Sequence, residues 1–144
     1  MKTMNEKDKN EMLQAIINEG ENYQAKIWGT LMADKKTIIA LTAAAGSAAG
    51  AFSNEYCYVG VTEKALYFVV VGSLDVSKIK NQFRVGFDEI KQAKVKKSLL
   101  PGRRVISMKL EKGELKLSIA DNTLGSDLKM QKEGAKYLCD VLNR

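Results

Sequence analysis

RVISMKLEKGELKLSI, residues 104–119, decides the fold class. Ile106, Met108 and Leu110 alternate with Val105, Ser107 and Lys109, and Leu115, Leu117 and Ile119 alternate with Lys116 and Ser118. A period of two sends one set toward a core and the other toward water. Lys112-Gly113 between the halves has the chemistry of a tight turn. The stretch predicts an antiparallel hairpin with one buried and one wet face.

The same period runs upstream. Tyr56 to Val61 and Leu66 to Val71 flank a turn at Thr62, Glu63, Lys64 and Ala65, and further strands are expected at Ile79 to Val85 and Ile90 to Lys96. Gly72, Gly86 and Pro101-Gly102 separate them. Gln24 to Leu31 alternates loosely, but its Ile, Trp and Thr content suits a strand. With Arg104 to Leu110 and Glu114 to Ile119, about seven strands result. Residues 5–18 place Met12, Leu13, Ile16 and Ile17 on one helical face, with Asn5 or Asp8 as caps and Gly20 as a stop. A second amphipathic helix is expected near the end, capped by Ser126 or Asp127, with Leu128, Ala135, Tyr137, Leu138, Val141 and Leu142 on its apolar stripe. The expected fold is therefore mainly β (α+β): an antiparallel barrel or sandwich capped by the C-terminal helix, with an extra N-terminal helix. Residues 1–20 form the N-terminal helix, and 21–144 form one domain with an Ala/Gly-rich insertion at 37–52.

That insertion, TIIALTAAAGSAAGAF, carries no charge, but its 16 residues fall short of the roughly 20 that cross a bilayer. Its Gly46 and Gly50 share a spacing that arises freely among abundant Ala and Gly, so a connector is expected. Met1 to Glu11 alternates charges without an apolar signal region, and a cytoplasmic location is expected.

The 144 residues contain no histidine, which removes His-based triads and His-ligated metals. Cys57 and Cys139 form no CxxC and read as small core residues, as Trp28, Phe68 and Phe87 read as core aromatics. Asp88 and Glu89 are adjacent, so on a strand they would face opposite ways and fail as a paired acid and base. Gly46 to Gly50 lacks the lysine and frame of a phosphate loop. No enzyme, cofactor or metal site is expected.

Charge is the other feature. The net charge is +6, and the interval 91–110 holds Lys91, Lys94, Lys96, Lys97, Arg103, Arg104 and Lys109 without an acid. Such cations guard a strand edge against edge-to-edge pairing, or meet anionic membrane lipid at about 1 kcal/mol each. In the second case the protein is expected at the inner face of the membrane. Nucleic acid is argued against, because no aromatic side chain is interleaved to stack bases. The leading expectation is a binding or scaffold module for a protein partner or homo-oligomer. It would use a sheet edge, or the helical face of Met12, Leu13, Ile16 and Ile17, which must pack on its own barrel, a second subunit or a membrane. Self-association is preferred there, because the helix charge is nearly balanced.

Gly60-Val61-Thr62-Glu63-Lys64-Ala65-Leu66-Tyr67-Phe68 resembles the L-x-x-T-x-x-R-L-x-F hairpin of bacterial pleckstrin-homology-like domains, the YokE-like group among them. Gly86-Phe87-Asp88-Glu89-Ile90 is similar to their aromatic-Asp-x-Ile step, and Ser98 to Arg103 sits where they carry a glycine-containing hairpin. The resemblance spans roughly residues 22–143 and implies a pleckstrin-homology-like barrel. Ala65 stands where those domains carry Arg, so no role of that cation transfers. The first long loop holds only Lys35 and Lys36, without the K-x-R pattern of inositol-phosphate recognition.

Overall fold

The computed structural model describes residues 4–33, 37, 52–72, 77–97, 102–111, 113–121 and 130–143. Helix α1 (Glu6–Gln14) precedes strands β1 (Ala25–Ala33), β2 (Phe52–Val61), β3 (Ala65–Val71) and β4 (Ile79–Gly86). A 3-10 turn at Phe87–Glu89 leads to β5 (Ile90–Lys97), β6 (Arg103–Leu110), β7 (Gly113–Ala120) and helix α2 (Gln131–Leu142). All seven expected strands are present. They form one antiparallel sheet in the order β4-β3-β2-β1-β7-β6-β5.

The sheet folds over its main core. Inward residues of every strand join one cluster with Ala135, Leu138 and Cys139 of α2. At its centre Phe68 and Phe83 stack with ring centroids 4.9 Å apart. Each fully buried large apolar side chain contributes about 1.5–3 kcal/mol. β4 and β5 end the strand order without pairing to each other, so the sheet does not close into a hydrogen-bonded barrel.

β1 is the hinge of the sheet. It pairs with β2 from Ala25 to Ala33, but with β7 only from Thr30 to Ala33. Where β1 and β7 part, the side chain of Gln131 fills the split: its Oε1 accepts from Trp28 N at 3.0 Å, and its Nε2 donates to Trp28 O at 3.0 Å and Ala120 O at 2.9 Å. One amide thus satisfies backbone groups that lack a strand partner. This bracket fixes where α2 begins. The helix starts at Gln131, behind Met130 in the left-handed region (φ 61°), and is not capped at Ser126 or Asp127, which with Leu128 lie outside the described residues.

One wet face per strand does not hold for β3, where all seven residues are buried. Its outer face carries Ala65, Tyr67, Val69 and Val71, which with Tyr58 form a second apolar cluster under Leu13 and Met4, joined by Met12, Ile16, Ile17, Tyr23 and Trp28. The apolar face of α1 is therefore seated on its own sheet, and Leu13 is fully buried there. Met12, Ile16 and Ile17 are half-buried against the same cluster, so the molecule's own sheet covers much of the face expected to favour self-association. The helix is also shorter than residues 5–18. Asn5 caps it by accepting from Asp8 N at 2.9 Å, but beyond Gln14 the chain turns off, and Asn18 N donates to Tyr67 OH at 3.1 Å. A tertiary partner has replaced a helical one.

Two smaller differences concern turns. Gly113 pairs with Leu110 as the first residue of β7, so it belongs to the strand and not to the turn. Asp88 and Glu89 lie in the 3-10 turn, where Glu89 Oε1 accepts from Gly86 N at 3.0 Å. Residues 38–51 of the Ala/Gly insertion and 98–101 of the β5–β6 connection lie outside the described residues.

Candidate functional site

Strand register sorts the basic residues. Lys94, Ser107 and Lys116 form one cross-strand row, and Gln92, Lys109 and Glu114 form the next. Lys96 leads a third row through Val105 and Ser118 to Thr30. Arg103 lies over the same outer face, with Nη1 donating to Ser118 Oγ at 3.2 Å. Lys94, Lys96, Lys109, Lys116 and Arg103 therefore share the face that α1 leaves bare, with Glu114 the acid among their rows. Lys97 and Arg104 do not join them: they pair with each other one residue out of phase, and Arg104 Nη1 lies 3.8 Å from Cys139 Sγ on α2. Lys91 falls where the β5–β6 register slips between Ile90 and Gln92. Lys116 was not among the residues singled out from sequence, because it lies on β7 and only register brings it beside Lys94.

The outer edge of β5 borders a groove of about 560 Å³. Phe87, Ile90 and Ala93 line one side, and Tyr137, Val141 and Leu142 of α2 the other. Ala93 is small and half-buried, which leaves the groove open above the strand. Two apolar expectations thus meet here: the stripe of α2 and the inward residues of β5.

A third constellation has no signal in the sequence. Glu21 is buried, its Oε1 accepting from Thr62 Oγ1 at 2.8 Å and its Oε2 from Tyr67 OH at 2.7 Å and Arg84 Nη2 at 3.2 Å. Arg84 Nε also donates to Tyr67 OH at 3.1 Å, and its guanidinium lies 5.6 Å from the Tyr67 ring centre. Burial pushes the Glu21 carboxyl up, but hydrogen bonds from Tyr67, Thr62 and Arg84 and the Arg84 charge pull harder, so its pKa lies below the ordinary value. Burial and the bond to Glu21 push the Tyr67 phenol up. Both carboxylate oxygens of Glu21 have partners, which makes the cluster a fastener between the segment after α1 and strands β3 and β4. Thr62 also accepts from Lys64 N at 3.1 Å and Ala65 N at 3.0 Å, closing the β2–β3 turn.

The remaining chemistry is muted. Burial pushes the Cys57 thiol far above its ordinary pKa, and Cys139 is buried as well. Among the described residues no three His, Cys, Asp or Glu side chains gather where they could hold a metal ion. In a cleft of about 460 Å³ between α1 and α2, Lys9 pairs with Glu6 and donates to Lys26 O, Lys26 Nζ donates to Asn10 Oδ1 at 3.1 Å, and Glu133 also lines the wall. Among the described residues no helix is long and apolar enough to cross a membrane.

No protein-family model matches the chain, and no curated protein matches it significantly. Two solved structures are similar. The C-terminal domain of an unknown protein from Leishmania infantum is 17% identical with a TM-score of 0.47, over 96% of this chain and 94% of that one. The hSac2 domain of the human phosphoinositide phosphatase Sac2 is 10% identical with a TM-score of 0.50, over 92% of this chain and 77% of that one. At such identity the second likeness is one of fold alone.

Proposed function

We propose that this chain is a non-enzymatic binding module of pleckstrin-homology-like architecture that takes up a protein partner at an open edge of its sheet. The observation that carries this reading is the outer edge of β5, which among the described residues pairs with no strand and borders a groove of mixed polar and apolar lining beside α2. An unsatisfied strand edge is a template for further pairing. The N-terminal helix does not compete for the role, because its apolar face is already seated on the sheet. Two buried free thiols suit a reducing compartment, which supports a cytoplasmic location for the module. Panning a random peptide display library against the full chain tests the reading. Enriched peptides that bind the wild type and lose affinity for Val141→Asp support it, and the absence of any enriched binder contradicts it.

A second reading rests on a different observation: five cations share the bare outer face of β5, β6 and β7. That face fits an anionic membrane surface. Sedimentation with anionic liposomes at low and high salt should then show binding that salt weakens and that Lys94→Glu/Lys116→Glu abolishes. Binding that persists in high salt, or no binding at all, contradicts it.

A further inference from the structure

We infer that the bare outer face of the sheet, from β1 across β7 and β6 to β5, docks an amphipathic helix of a partner protein that is apolar at one end of its contact face and acidic at the other. The inference is independent of the β5 edge, and it sets a protein segment against the membrane as the occupant of the same cations. Register lays out the face. One cross-strand row runs from Met32 through Lys116 and Ser107 to Lys94. The next joins Tyr56 through Thr30, Ser118 and Val105 to Lys96. Residues paired directly point to the same side of a sheet, so the two rows lie side by side on one surface. Four large apolar side chains are exposed among the described residues, and Met32, Tyr56 and Ile79 are three of them. Ile79 belongs to the same side, because it pairs with Val71 of the outer cluster. The surface is thus apolar at one end and cationic at the other.

Two features choose the occupant. β1, β7 and β6 are paired on both sides over these rows, so an extended chain laid across them would find no partners for its own N–H and C=O groups. A helix bonds those groups internally, and α1 already rests on the neighbouring part of the same face in that way. The second feature is that the face is polarised sideways. Met32 and Lys94 stand three strands apart, about 14 Å at the usual strand spacing. A bilayer leaflet is layered in depth and uniform along its plane, so it does not match the two ends separately. A helix does so with apolar and acidic residues about nine positions apart. Among the described residues no ion pair engages Lys94, Lys96 or Lys116, and acids on the helix complement these charges.

The test uses the full chain and three alanine-based helical peptides of equal length that contain no tryptophan. One carries Glu on one face of its first half, where the helix dipole favours it, and Leu on the same face of its second half. Another carries the same residues mixed along that face, and the third has Lys in place of Glu. Fluorescence polarisation is expected to show the first peptide binding at least about tenfold more tightly than the other two. Lys94→Glu/Lys96→Glu changes only exposed positions, and is expected to keep the native circular dichroism spectrum and turn the preference toward the Lys peptide. Met32→Ser should weaken the first peptide. Trp28, the single tryptophan, has its ring 6.4 Å from that of Tyr56, so its emission should shift when the unlabelled first peptide docks. Equal binding of the three peptides, an unchanged ranking in the charge-reversed variant, or unaltered Trp28 emission at saturation overturns the inference. Sedimentation with phosphatidylserine liposomes without binding to any of the peptides also overturns it, and gives the face to the membrane.

Discussion

Gly134 shows how a single residue is tied to the packing. A glycine inside a helix ordinarily costs about 1 kcal/mol relative to alanine, so Gly134→Ala on a free helix would stabilise. Here the added Cβ would run into Ile27 Cγ2, a branched methyl on a fully buried side chain with little room to turn. The packing penalty wins, and Gly134→Ala is expected to lower stability by about 1–2 kcal/mol in urea denaturation. Glu21 makes a second case. Its depressed pKa means that the folded state holds the carboxylate more tightly than the unfolded chain does. The stabilisation is therefore fully present above the ordinary value of 4.5 and is lost as pH falls through the lower folded value. Glu21→Gln should cost about 1–3 kcal/mol at neutral pH, and the difference from wild type should shrink on acidification. Denaturation curves at both pH values check this, and a variant as stable as wild type at neutral pH contradicts it. Glu21 was illegible in sequence because its partners lie 41, 46 and 63 residues away.

At the scale of elements, α1 and α2 each do work that their amphipathic patterns show only in part. The pattern of α1 gives an apolar face without saying what covers it. The buried outer residues of β3 answer that question, and their unbroken apolar run, ALYFVVV, is the signal of a strand covered on both faces. Leu13→Ala should accordingly cost about 2–4 kcal/mol without changing the oligomeric state, measured by denaturation and light scattering. A helix serving as an interface would instead lose oligomer. In α2, Gln131 supplies what no periodicity reveals: an amide that replaces strand pairing at the split between β1 and β7. Gln131→Ala leaves Trp28 N and O and Ala120 O without that partner, and is expected to cost about 1–3 kcal/mol and to speed amide exchange at Trp28. The basic interval 91–110 was legible as composition, but only register shows that Lys94, Lys96 and Arg103 share a face while Lys97 and Arg104 leave it.

For the whole molecule, local alternation, strand-forming residue content and turn chemistry located all seven strands, because each is a property of short segments. Closure is not a local property. Whether β4 meets β5 depends on how far β1 pairs with its two neighbours, and the split held by Gln131 lies between residues 103 apart in sequence. The sheet remains open, and the open edge is the centre of the functional account. Amide hydrogen exchange of the free full-length protein, resolved along the chain, tests that most directly. The amides of β2 and β3, paired on both sides, should be the slowest. Alternate amides of β5, those facing away from β6, should exchange orders of magnitude faster while their neighbours stay protected. Uniform protection along β5 equal to that of β3 would mean that its edge is already covered, and would contradict the account.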